Sequence, residues 1–196
     1  MIYLDNAATT FKKPINVIEA INHALTSYGN SGRGAYRAAL DSGRMVYETR
    51  EKISKFFESS DPSKVIFTSN ATEGLNIVLF GLFGSGDHVI STVTEHNSVL
   101  RPLYKLEKTR NIGIDFIGTD ESGKLKYDEF EKYIRPNTKA IVINHISNVS
   151  GEIADIEYVG KLAKKHNLYL IVDASQSAGS INTVSYTHLT LPTKRI

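Results

Sequence analysis

Leu168-Tyr169-Leu170-Ile171-Val172 runs directly into Asp173-Ala174-Ser175-Gln176-Ser177-Ala178-Gly179, so an apolar strand pattern delivers a carboxylate to a turn of small residues. A carboxylate in that position needs a cation or several donors, because burying it unpaired is costly. Three other junctions have the same form. Lys64-Val65-Ile66-Phe67-Thr68 leads into Ser69-Asn70-Ala71-Thr72-Glu73-Gly74, where a turn opens a helix. Its first amides and the Thr72 hydroxyl suit an anion such as phosphate. Asp87-His88-Val89-Ile90-Ser91 leads to Thr94-Glu95-His96-Asn97-Ser98, and the His96 imidazole can stack on a ring or carry protons near neutral pH. Lys139 to Asn144 leads to His145-Ile146-Ser147-Asn148-Val149-Ser150-Gly151, where the Asn148 amide can donate to a ligand oxygen.

Taken singly, each junction has an ordinary explanation. Asp173 reads as a helix cap or the partner of a structural arginine, Ala71 and Thr72 as part of a plain capped start, His96 as a surface or capping residue, and Asn148 as a turn residue in left-handed conformation. Together they describe a pocket for a planar, phosphorylated nitrogen heterocycle. That fits pyridoxal 5′-phosphate better than a nucleotide, with Asp173 against a protonated ring nitrogen so that the ring draws electrons from a substrate carbon. Nucleotide fingerprints fail: Gly29 to Gly34 and Gly81 to Gly86 have the wrong glycine spacing, and no Walker-type lysine follows either.

The elements that must position these groups alternate. Helical patterns run from Pro14 to Tyr28, with Val17, Ile18, Ile21 and Leu25 on one face, and from Tyr36 to Phe57, with Leu40, Val46, Ile53 and Phe57 inward. Further helices are expected after Thr72, from Glu95 to Lys108, from Tyr127 to Ile134 and from Asp155 to His166. Pro102 in the second of these implies a kink or a late start. Strands are expected at 64–68, 87–91, 112–117, 139–144 and 168–172. Strands separated by helices define an α/β protein with a mainly parallel sheet covered on both faces.

Composition narrows the function classes. The chain has 196 residues, a net charge of +2 with both signs interspersed, and no cysteine. That argues against a nucleic-acid surface and excludes disulfides, cysteine-ligated metal and a nucleophilic cysteine in this chain. No stretch has the apolar length of a membrane span and Met1 to Asp5 lacks a signal-peptide pattern, so the cytoplasm is the expected compartment.

Six stretches resemble the class V aminotransferase family of fold-type I pyridoxal-phosphate enzymes, and within it the cysteine desulfurase and selenocysteine lyase branch. They are Tyr3 to Thr9, Asn30 to Gly34, Phe67 to Glu73, Glu95 to Pro102, His145 to Gly151 and Val172 to Gly179, in order along the chain. The resemblance implies a three-layer transferase-like large domain, here incomplete. It implies that Ala71 and Thr72 bind the cofactor phosphate and that His96 stacks on the ring and assists proton transfer. Asn148 would lie near the ring oxygen, Asp173 would pair with the ring nitrogen, and Gln176 would bond the phenolic oxygen. It further implies an amino-acid substrate such as cysteine, a persulfide-forming cysteine with release of alanine, a sulfur-acceptor protein and a homodimer. A class V aminotransferase or another lyase shares the same cradle, and a non-catalytic cofactor-binding or scaffold protein is the rival from a different class.

Departures from the family define the expected organisation: an N-terminal segment and helix at 1–28, a partial cofactor-binding large domain at 29–183, and a tail at 184–196 foreign to the family pattern. The Schiff-base lysine is not assigned to Lys194, and the small C-terminal domain is expected to be absent. On that basis this chain is expected to be an inactive fragment.

Overall fold

The computed structural model describes residues 2–181, so the expectations for the tail and for Lys194 lie outside the described residues. The chain divides between Ile66 and Phe67 into two compact units. The first contains α1 (Ile15–Ser27) and α2 (Arg37–Phe56). Pro14 stands at the N-cap of α1, one position earlier than a first helical residue. Ser42 of α2 donates to the Gly29 carbonyl at 2.8 Å and accepts from the Gly29 amide at 3.0 Å, tying the glycine-rich loop to the helix. Tyr36 packs against the same loop so closely that a Cβ at Gly34 would lie 2.8 Å from its ring, and Gly34 has φ +86°.

Val17, Ile18, Ile21 and Leu25 of α1 are exposed; helical spacing fixes which side chains share a face and not what covers it. The inward face expected of α2 is corrected. On α2 the buried residues are Ala39, Ser42 and Ser54; Leu40 is exposed, and Val46, Ile53 and Phe57 are half-buried. The expected strand at 64–68 is also absent: Pro62–Lys64 form a 3-10 turn, and the extended residues after it have no ladder partner in the described sheet.

The second unit carries a four-stranded sheet of β1 (His88–Thr92), β2 (Gly113–Ile117), β3 (Thr138–Asn144) and β4 (Tyr169–Asp173). All pairings are parallel, in the order β2-β1-β3-β4. Around it lie α3 (Ala71–Leu82), α4 (Asn97–Arg110), the short α5 (Tyr127–Phe130) and α6 (Ile156–Lys165). Strand residues alternate between two cores. Val89, Ala140 and Val142 pack with Leu75, Leu79, Val99 and Leu103 from α3 and α4. Ile90, Ile141 and Ile143 pack with Phe130, Val159 and Leu162 from α5 and α6. The result is three layers, with the central strands apolar on both faces as buried parallel strands require.

The order also reverses. From β1 the chain crosses by α4 to β2 on one side; from β3 it crosses by α6 to β4 on the other. A constant crossover hand then sends the two helices to opposite faces, and a crevice opens between the carboxyl ends of β1 and β3.

At the opposite edge, buried His88 bonds Thr138 Oγ1 through Nδ1 at 2.7 Å and Asp115 Oδ2 through Nε2 at 3.1 Å, pinning β1, β2 and β3. Burial pushes this imidazole below its ordinary value.

Helix α4 starts at Asn97, later than Glu95, and runs through Pro102, which is fully inside it. Leu103, wholly buried between α4 and the sheet, is expected to cost about 2–5 kcal/mol on truncation to alanine, measured by urea unfolding. Leu25→Ala on exposed α1 is expected to change stability by less than about 0.5 kcal/mol.

Candidate functional site at the sheet's switch point

The loops after β1, β3 and β4 meet at one edge because the three strands are parallel neighbours. Directly beyond β1, Glu95 is 7% exposed. Its Oε1 accepts from Thr92 Oγ1 at 2.6 Å and from the Asn144 amide at 2.9 Å, bridging β1 to β3 at the reversal. Its Oε2 is buried with no partner among the described residues. Asn144 returns the connection, donating through Nδ2 to the Thr94 carbonyl at 2.7 Å. Burial is the main reason the Glu95 carboxyl is pushed up to about 7, and the nearby charge of Asp173 adds to it.

Asp173 closes β4. Its Oδ1 accepts from the Ser175 amide at 3.0 Å and the Ser175 hydroxyl at 2.5 Å, and its carbonyl accepts from the His145 amide. Among the described residues no lysine or arginine forms an ion pair with Asp173 or Glu95. The ordinary explanations for Asp173, a helix cap or a structural arginine, are therefore not what holds it. Two neighbouring carboxylates without a cation make this edge a cation-seeking one.

The anion side is built on α3 and α4. Asn70 caps α3 by accepting from the Glu73 amide at 2.9 Å, and Glu73 in turn accepts from the Ser69 amide at 2.6 Å. That reciprocal cap leaves the amides of Ala71 and Thr72 without acceptors among the described residues, as the first turn of a helix does. His96 is the N-cap of α4, its Nδ1 accepting from the Ser98 amide at 3.1 Å. The Ser98 hydroxyl lies 2.8 Å from that nitrogen and 2.7 Å from Thr72 Oγ1. A cleft of about 380 Å³ brings Thr72 and His96 together with Asn76, Phe80, Arg101 and Lys105.

Thus the structure joins Ala71, Thr72 and His96 on one side and sets Asp173 beside Glu95 on the other. Gln176 is half-buried in the turn after Asp173, whereas Asn148 sits in an exposed turn after β3 and its side chain bonds none of the others. Glu95, Ser98 and Asn144 were not singled out in the sequence. The sequence pattern takes Glu95 as the first residue of a helix; the signal against that is its place in Thr92-Val93-Thr94-Glu95, only three residues beyond the end of a buried strand.

Fold and site together define a doubly wound α/β domain that offers helix amides and a hydroxyl to an anion and carboxylates to a cation, at the place such sheets bind ligands. The chain belongs to the aminotransferase class-V family, which matches residues 2–185. It is 38% identical over 187 residues to a probable cysteine desulfurase of Borreliella burgdorferi, covering 92% of this chain and 44% of that protein. The apo structure of cysteine desulfurase from Thermococcus onnurineus NA1 superposes with a TM-score of 0.87 at 34% identity, covering 94% of this chain and 46% of the other. SspA in complex with cysteine superposes with a TM-score of 0.85 at 28% identity, covering 93% and 53%. The chain therefore spans about half the length of the relatives it matches.

Glu95 yields a test of the site's electrostatics. Its folded value is raised from 4.5 to about 7, so its contribution to stability is full below 4.5 and is lost as pH rises through 7. Relative to Glu95→Gln, the wild-type unfolding free energy is expected to fall by about 2–3 kcal/mol between about pH 5 and pH 8, read from urea titrations. A difference that stays flat or rises over that interval would refute the assignment.

Proposed function

We propose that this chain forms the cofactor-holding part of a pyridoxal-phosphate-dependent cysteine desulfurase, converting cysteine to alanine with sulfur transfer. The family uses pyridoxal phosphate, the Borreliella relative is a probable cysteine desulfurase and the Thermococcus structure is a cysteine desulfurase. The observation that carries the reading is the pair Asp173 and Glu95, buried or half-buried at the switch point with no cationic partner among the described residues. A protonated pyridine nitrogen is the cation this edge suits, and the unpaired amides of Ala71 and Thr72 suit its phosphate.

Each residue then has a physical task. Asp173 holds the ring nitrogen in its protonated form, and the charge of Glu95 behind it strengthens that preference. Ala71 and Thr72 fix the phosphate and with it the ring's position. His96 covers the ring and handles a proton at its imidazole; Asn148 and Gln176 donate to ring and substrate oxygens. When bound, the cofactor supplies the electron sink for the substrate carbon. On this reading residues 29–183 belong to the large domain. The whole enzyme is a cytoplasmic homodimer that passes sulfur to an acceptor protein, and no helix among the described residues is long and apolar enough to cross a membrane.

The sequence carries no cysteine, so persulfide formation needs a thiol that this chain does not supply. That same fact favours a second reading, cofactor binding without turnover by this chain. Pyridoxamine 5′-phosphate, which needs no covalent anchor, is expected to bind in a calorimetric titration. Asp173→Asn should weaken it about 10- to 100-fold, the worth of a charge-assisted hydrogen bond. No alanine release from cysteine is expected from this chain alone; measurable release would overturn the assignment of the thiol to another source.

A further inference from the structure

The Glu95 carboxyl has one bonded oxygen and one orphaned oxygen. Its Oε1 accepts from both the Thr92 hydroxyl and the Asn144 amide, whereas Oε2 is buried and has no partner among the described residues. Asn144 ends β3 and is the register partner of Asp173 on β4, so Glu95 meets the end of β3 from the β1 side and Asp173 flanks it from the other. The other titratable groups at this edge are two imidazoles. His145, just past the end of β3, is pushed toward its neutral form by burial, and His96, next to Glu95 in the chain, is exposed. No lysine or arginine among the described residues forms an ion pair with either carboxyl.

A carboxyl in this place is most stable when neutral. With two donors on Oε1, the proton belongs on Oε2, and its removal leaves an uncompensated negative charge in a buried site near a second carboxylate. Burial first and Asp173 second push Glu95 up to about 7. A cation seated against Asp173 reverses that balance. It cancels the charge that opposes ionisation and adds an attraction that a buried site screens only weakly. Resting on the cofactor reading, we propose that Glu95 is a positioning residue that gives up its Oε2 proton when a protonated pyridine ring is seated on Asp173. The O–H bond of the carboxyl breaks, the proton passes to solvent, and the carboxylate remains as a second counter-charge to the ring. Below neutral pH the free protein thus avoids burying two charges, and the second charge forms when a cation is there to meet it. By reciprocity, ionised Glu95 tightens the hold on the cationic ring.

The test is difference infrared spectroscopy on the full chain with ¹³C-labelled glutamate at about pH 6, where the protonated form of Glu95 dominates. Among the described carboxyls that depart from their ordinary values, Glu95 alone is raised, so a protonated-acid carbonyl band that moves with the label identifies it without a variant. Pyridoxamine 5′-phosphate should remove that band, and inorganic phosphate, which brings no cationic ring, should leave it. Glu95→Gln keeps an oxygen for Thr92 and for the Asn144 amide, and should lack the band from the start. Calorimetry reads the linked quantity: from about pH 6 to about pH 8, the affinity of the wild type for pyridoxamine 5′-phosphate should gain about tenfold over that of Glu95→Gln. A purely structural role for Glu95 would change affinity equally at both values. That result, a free protein without the band, a band unchanged by bound pyridoxamine 5′-phosphate, or a band lost with inorganic phosphate alone each overturns the coupling and leaves the cofactor reading standing. Failure of pyridoxamine 5′-phosphate to bind at either pH overturns the cofactor reading and the coupling with it.

Discussion

A parallel sheet covered on both faces has only its strand ends available for chemistry, and the second unit is governed by that constraint. Val89 and Ile90 of β1 and the run Ala140 to Ile143 of β3 pack alternately into the two cores, so both faces of the central strands are covered by helices. Polar groups gather where the ladders stop. Because the strand order reverses between β1 and β3, the loops leaving those strands part to opposite faces, and Glu95 spans the gap they leave. The bridge from its carboxylate to Thr92 and to the Asn144 amide keeps the crevice's floor at a fixed width. Removing it would leave the Asn144 backbone amide at the end of β3 without its acceptor.

Electrostatics follow from that floor. A carboxylate buried among strand ends resists ionisation, and a second one in Asp173 nearby raises the cost further. Across the edge, the amides at the start of α3 and the cations Arg101 and Lys105 carry the opposite sign. A ligand with a cationic ring and an anionic group meets complementary charge at both ends. The His96-Ser98-Thr72 chain connects α4 to the anion side through hydrogen bonds.

Much of this was legible in the sequence. The four strands and their helices were readable because apolar runs of strand length alternate with helical periods, and the groups at 71–72, 96 and 173 were readable because polar turns follow those runs abruptly. Residues 64–68 misled for the same reason: an apolar run specifies a strand only if another strand pairs with it, and pairing is not encoded locally. The inward face expected of α2 misled likewise, since Leu40 has the helical spacing of a core residue yet meets solvent.

The sequence by itself determined the α/β class, the family, and which side chains stand at strand ends, because these depend on local period and on residue type. Only the tertiary structure decided the order β2-β1-β3-β4, and with it the crevice between β1 and β3. It also decided that Glu95 is buried and bridging, that Asp173 has no arginine beside it among the described residues, and that Ser98 joins Thr72 to His96. Each of these is a relation between residues on separate elements. Burial, charge partners and shared protons are properties of such relations, and they exist only once the strands have found their neighbours.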